Sequence, residues 1–218
     1  MLESGVFERY GRDDMSRGVF YMTIGGVLTV GFLISAYVST LTAAWAPNLW
    51  VFLGVGLVIP ILGIILGLKS DNPVLSLLGF LMVVVPFGAI LGPVLAAYKV
   101  SDPGLITETA LLTGAITGVM MLSGLAFPNF YSKIGGALFV ALLCVVGVSI
   151  VGLFVPGVGQ LTWVHYAAAG VFALYIGYDM HRASTIPATL DNAIDVATSL
   201  YLDIINLFLR LLAARSRS

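Results

Sequence analysis

Ser199-Leu200-Tyr201-Leu202-Asp203-Ile204-Ile205-Asn206-Leu207-Phe208-Leu209-Arg210-Leu211-Leu212 reads as an apolar helix with an acid at its centre. An aspartate in the middle of a membrane helix costs about 2.5–3.5 kcal/mol on an insertion scale. The nine Leu, Ile and Phe residues between Leu200 and Leu212 offset roughly 3–5 kcal/mol, at about 0.3–0.6 each. The helix therefore inserts only marginally by itself and needs neighbours that give Asp203 partners. An ionisable group at membrane depth is by default a functional-site candidate. Asp191, Asp195, Ser199, Asp203, Asn206 and Arg210 recur at intervals of four or three. From Asp195 to Arg210 they share a stripe roughly 80° wide, with Leu200, Ile204, Leu207, Phe208 and Leu211 opposite. Such a stripe faces other helices or water rather than lipid.

The rest of the chain has the same character. Of 218 residues, 59% are hydrophobic and 10% charged, with mean hydropathy +1.04; a soluble domain carries about 25% charged residues. The class is an all-α integral membrane protein, its first partner the lipid bilayer. A net charge of −1 supplies no electrostatic reason to bind nucleic acid. The single Cys144 lies in an apolar run and the two histidines are far apart, so neither a disulfide framework nor a metal cluster is expected. No cofactor is called for.

Seven apolar segments are predicted, at 19–41, 49–68, 74–97, 105–127, 134–155, 161–178 and 196–212. Each has about 17–24 residues, enough for a hydrocarbon core of about 30 Å. They form one transmembrane domain, 19–212, between a polar tail at 1–18 and a short tail at 213–218. Ala44-Trp45-Ala46 imitates a signal-peptidase site, but the run before it is longer than a signal core of about 7–15 residues, so the first span reads as uncleaved. Prolines 60, 86 and 93 fall inside spans, where they free carbonyls and are expected to interrupt helices. Thr113, Gly114, Thr117, Gly118 and Ser123 give the fourth span a small-residue face expected to pack closely. Polar connections are expected at 98–104, 128–133 and 181–195. Glu108 and Asp102 read as interfacial, as does His165, and His181 as solvated.

Lysine and arginine positions orient the chain. With a cytoplasmic N-terminus, Arg9, Arg12, Arg17, Lys69, Lys133 and Arg182 fall inside and Lys99 outside, as the positive-inside rule prefers. Arg210, Arg215 and Arg217 conflict with that order if the last segment crosses. Charge bias and the short length of 196–212 favour re-entry; an enclosed helix would cross regardless.

Tyr201-Leu202-Asp203-Ile204-Ile205-Asn206-Leu207-Phe208-Leu209 resembles the C-terminal signature of the transmembrane Bax inhibitor motif family. Tyr178-Asp179-Met180-His181 is similar to that family's motif at the end of the sixth span, and Gly92-Pro93 fits many members. With short polar loops, the chain looks like the bacterial YccA-type branch. The resemblance implies a seven-helix bundle in the bacterial inner membrane, six helices around a central C-terminal helix. It implies that Asp179 and Asp203 pair across the last two helices, in relatives associated with a pH-sensitive calcium leak. It also implies a basic latch on the pair, for which this chain offers Lys69 or Arg182. Another branch is known for binding and modulating the membrane-anchored AAA protease FtsH.

Two functions follow. In the first, Asp179 and Asp203 share one proton, because two carboxylates together in low dielectric do not both ionise easily. The shared proton pins two helices, and its loss separates them and exposes oxygens for transient calcium contact. Asp195, Ser199, Asn206 and Arg210 then lie along the path, with calcium wanting several such oxygens. In the second, the bundle docks a membrane protease through its N-terminal tail. Catalysis is not expected. Intramembrane aspartyl proteases carry Tyr-Asp and Gly-x-Gly-Asp motifs, and Asp203 lacks the glycines; nucleophile, base and oxyanion donors are not found together.

Overall fold

The computed structural model describes residues 15–69, 72–155, 157 and 161–216. Among them every regular element is a helix: α1 (Arg17–Leu41), α2 (Leu49–Leu68), α3 (Pro73–Ser101), α4 (Pro103–Ala126), α5 (Pro128–Phe154), α6 (Thr162–Thr185) and α7 (Leu190–Arg215). Each predicted segment is one helix, and the protein is a helical membrane protein. Six of the seven are long and apolar enough to cross a bilayer. The exception, α6, has 24 residues, but His165, Asp179, His181 and Arg182 lower its hydropathy. Residues 1–14 of the polar tail, Pro156, 158–160 and Arg217 lie outside the described residues.

The connections are shorter than the polarity of the sequence suggests. Only Asp102 separates α3 from α4; its carboxylate accepts from the N–H groups of Gly104 and Leu105, and Pro103 opens the helix. Proline is suited to that first position, where its missing N–H would be unpaired anyway. Pro128 opens α5 in the same way, so the turn expected at 128–133 is helix. The long connection expected at 181–195 shrinks to 186–189. Thr189 Oγ1 accepts from the N–H of Asn192, while the Asn192 amide donates to the Pro187 carbonyl. These local bonds let Asp191 and Asn192 begin a helix although their polarity reads as loop.

Nor do the internal prolines break their helices. α3 runs 29 residues through Pro86 and Pro93. In α2 a π-turn at Gly54–Val58 precedes Pro60, so the missing N–H falls where the hydrogen-bond register changes.

The chain divides into two compact units: Met1–Ser101 with Thr185–Tyr201, and Asp102–Ser184 with Leu202–Ser218. In the first, α1 and α3 run parallel. Gly31 faces Phe80, Ser35 lies against Gly88, and Ser39 and Thr42 lie against Gly92. α2 runs antiparallel to α3, and their backbones touch at Gly63 and Gly79: a Cβ on Gly63 would sit 2.6 Å from the Gly79 carbonyl oxygen. Tyr201, fully buried, packs among Phe32, Phe80 and Phe87. Ser35 Oγ donates to the Val84 carbonyl, so the Tyr201 hydroxyl donates to Ser35, at 2.5 Å.

In the second unit α4 meets α6 backbone to backbone at Gly124 and Gly177. The Tyr131 hydroxyl bonds Ser123 Oγ at 2.6 Å and covers Gly177 from α5. The small-residue face expected to pack closely is therefore displaced along the helix. Gly114 and Gly118 have nothing within 4 Å of a would-be Cβ, and the intimate contact is one turn past Met120, at Gly124.

α7 is one unbroken helix of 26 residues, which rises about 39 Å at about 1.5 Å per residue. It is continuous and long and apolar enough to cross a bilayer, where charge bias favoured re-entry. The helix is six residues longer at its start than 196–212 because Asp191 and Asp195 are helical. The arginines that argued for re-entry are held within the protein: Arg215 pairs with Glu108, and Arg210 donates to Ser149. Half of α7's most apolar 18-residue window is buried, against 6% for α5. Leu200, Leu207 and Leu211, opposite the polar stripe, are buried too. The helix is enclosed on more than its polar side.

Candidate functional site

Asp179, near the end of α6, and Asp203, in the middle of α7, are both buried, and their carboxyl groups lie close enough to interact directly. A carboxylate is an acceptor only, so a direct hydrogen bond between the two requires a proton on one of them. α6 positions its acid through Gly177, two residues earlier, whose lack of a side chain admits Tyr131 and α4. Tyr178, the next residue, lays its ring over Gly135 of α5. α7 positions its acid through the buried Tyr201 on one side and Ile205 on the other.

Arg182, one turn after Asp179, acts electrostatically on it, and both acids act on Tyr175. Asp203 Oδ2 is buried with no hydrogen-bond partner among the described residues. Calcium takes about 6–8 oxygens in a resident site. No group of three or more His, Cys, Asp or Glu able to hold a metal occurs among the described residues.

The other stripe residues separate. Asn206 turns its amide back onto the Leu202 carbonyl at 2.8 Å, and Arg210 Nη2 donates to Ser149 Oγ of α5 at 2.6 Å. Asp195 and Ser199 belong to the first unit, where the Asp195 carboxylate lies against Gly67 of α2. Of the two basic latch candidates, Arg182 is beside the pair, while Lys69 is an exposed residue at the end of α2 in the first unit. His165 is buried, and His181 is half-buried with its Nδ1 covered and unpartnered among the described residues, not solvated as expected.

Several polar partners gave little sequence signal. Ser149 and Ser76 are single serines in apolar runs, yet Ser149 accepts from Arg210 and Ser76 donates to the buried Asp191. A lone hydroxyl in an otherwise apolar span was the available clue. Glu108, read as merely interfacial, bonds Arg215 at 2.5 Å, with 64% of its side chain exposed. An exposed pair of this kind contributes about 0–1 kcal/mol. Glu108→Gln is therefore expected to lower the thermal midpoint in detergent by no more than about 4 °C, and by less at 1 M salt. A drop above that, insensitive to salt, would show the pair to be shielded from solvent.

Helices of membrane-crossing length with a buried carboxyl pair between the last two define the class: a polytopic helical membrane protein with an ionisable interior site. The sequence model described as inhibitor of apoptosis-promoting Bax1 matches residues 13–215, and the chain belongs to the Bax inhibitor-1 family. It is similar to the inner membrane protein YbhL of Escherichia coli K12, 30% identical over 203 residues, with 86% of each chain covered. It is also similar to a Helicobacter pylori protein, 34% identical over 109 residues. That match covers 50% of this chain and only 46% of the relative, so the chain spans less than half the length of that protein.

Proposed function

We propose that the protein is a passive, non-catalytic cation leak of the bacterial inner membrane, with calcium as the permeant ion and the Asp179–Asp203 pair as its gate. The observation that carries this reading is the juxtaposition of two buried carboxyl groups on different helices. With a proton between them they tie α6 to α7. Once the proton leaves, two like charges face each other where little water screens them, and the repulsion drives the helices apart. The sign follows: the tie is complete at low pH and lost as pH rises, so flux increases with pH. The family match and the likeness to an inner membrane protein support the location. The N-terminus is placed in the cytoplasm by the positive-inside bias.

The test is calcium flux into proteoliposomes between pH 5.5 and 8.5. Wild-type flux is expected to rise on the order of tenfold across that range, the response to one proton over a pH unit or more. Asp203→Asn keeps a hydrogen-bond donor toward Asp179 and carries no charge, so its flux is expected to stay low and flat. Equal flux from wild type and Asp203→Asn at every pH would remove the pair from gating.

A further inference from the structure

Two arginines near the end of α7 are treated differently by the second unit. Arg215 meets a carboxylate, Glu108, and the two charges cancel. Arg210 meets only the neutral hydroxyl of Ser149. That hydroxyl's own proton goes to the Val145 carbonyl at 2.6 Å, so Ser149 acts toward Arg210 purely as an acceptor. Among the described residues no carboxylate lies within ion-pair distance of Arg210. A guanidinium keeps its charge in proteins, and at half-buried Arg210 none of the described residues supplies a carboxylate to offset it.

Its position is informative. Arg210 lies seven residues after Asp203, about 10 Å along the axis and about 20° from the same face. Asn206, between them, satisfies its amide on its own helix and adds no charge. A cation that has reached Asp203 and moves along this face of α7 toward its end therefore approaches a fixed positive charge.

We infer that Arg210 is a built-in electrostatic barrier that holds the cation leak low and penalises ions in proportion to their charge. This rests on the leak reading above and assigns the residue that sets its rate and valence preference. At an effective dielectric of about 20 and a separation of about 10 Å, the penalty is on the order of tenfold in rate for a monovalent ion. Because the energy doubles for a divalent ion, the factor squares, to on the order of a hundredfold.

The experiment compares potassium and calcium flux in proteoliposomes of the full chain, for wild type, Arg210→Gln, Arg210→Met and Arg210→Lys. Thermal unfolding in detergent verifies that each variant is folded. The expected result is a rise of about tenfold for potassium and a markedly larger rise for calcium in the Gln and Met variants. Arg210→Lys stays near wild type, and all four keep the rise of flux with pH. Equal increases for the two ions, or a Lys variant that behaves like Gln, would mean loosened packing and overturn the inference. So would unchanged flux in Arg210→Gln while wild type conducts and Asp203→Asn has lost its pH response, an outcome that leaves the leak itself standing. No flux from any of the proteins at any pH overturns the leak and the barrier together.

Discussion

One methyl group added at Gly124 is expected to lower the thermal midpoint of the detergent-solubilised protein by about 10 °C. The Cβ of Gly124→Ala would sit far inside van der Waals contact of the Gly177 carbonyl oxygen, and its next nearest neighbours are also Gly177 backbone atoms. A side chain in the way can change rotamer, but a backbone carbonyl moves only with its helix. α4 and α6 must therefore part, and Tyr131, which fills the space over Gly177, must follow. Overpacking costs about 1–3 kcal/mol when the surroundings yield, and a chain of this size loses about 2–4 °C per kcal/mol. The rigid obstacle places Gly124→Ala at the upper end. Gly114→Ala and Gly118→Ala, on the same helix, meet open space. They are expected to be neutral or to raise stability by up to about 1 kcal/mol, since alanine favours helix over glycine by that amount. Equal midpoints for all three variants would show that the contact at Gly124 does not hold the second unit together.

Tyr201→Ala is the second large effect. The ring is fully buried, in contact with three phenylalanines, and its hydroxyl ends a relay through Ser35 to the Val84 carbonyl. Removing a large buried ring costs about 3–5 kcal/mol in water-soluble cores. In lipid the solvent-transfer part is small, and what remains is lost packing and the cavity. The expected loss is therefore about 3 kcal/mol, or roughly 6–12 °C in midpoint. Tyr201→Phe keeps the packing and removes only the donor. Ser35 still donates to Val84, so the expected loss is about 1 kcal/mol. If Phe proved as damaging as Ala, the hydroxyl relay rather than the aromatic cluster would be what anchors the first half of α7.

Much of the fold was legible because a membrane forces apolar runs of fixed length. All seven helices were placed from hydropathy, and the buried acid in α7 stood out against its surroundings. What misled was polarity near helix ends. Asp191, Asn192 and Asp195 read as loop because water-facing segments are normally polar, whereas here Ser76, Pro187 and the α2 backbone at Gly67 take them in. The positive-inside rule also counts the arginines after Asp203 without knowing their partners, and Glu108 and Ser149 are invisible to such a count. The pairing of Asp179 with Asp203 came from resemblance; spacing alone contains nothing that brings residues 24 positions apart together. Close contact at Gly124 rather than Gly114 was equally beyond the sequence, since a glycine shows where backbones are able to meet and not where they do.

The side-chain bonds that tie α7 to the rest of each unit all reach backward along the chain. Asp191, Tyr201, Arg210 and Arg215 bond to Ser76, Ser35, Ser149 and Glu108, across separations of 115, 166, 61 and 107 residues. At a translation rate of about 5–20 residues per second, Tyr201 emerges roughly 8–33 s after Ser35. For that interval the earlier helices sit in the bilayer without these partners, and the helix that supplies them inserts only marginally alone. Assembly of these contacts therefore waits for α7 to emerge. A lesion anywhere in α7 should be recognised as an unfinished protein by the cell's proteases, whatever it does to transport.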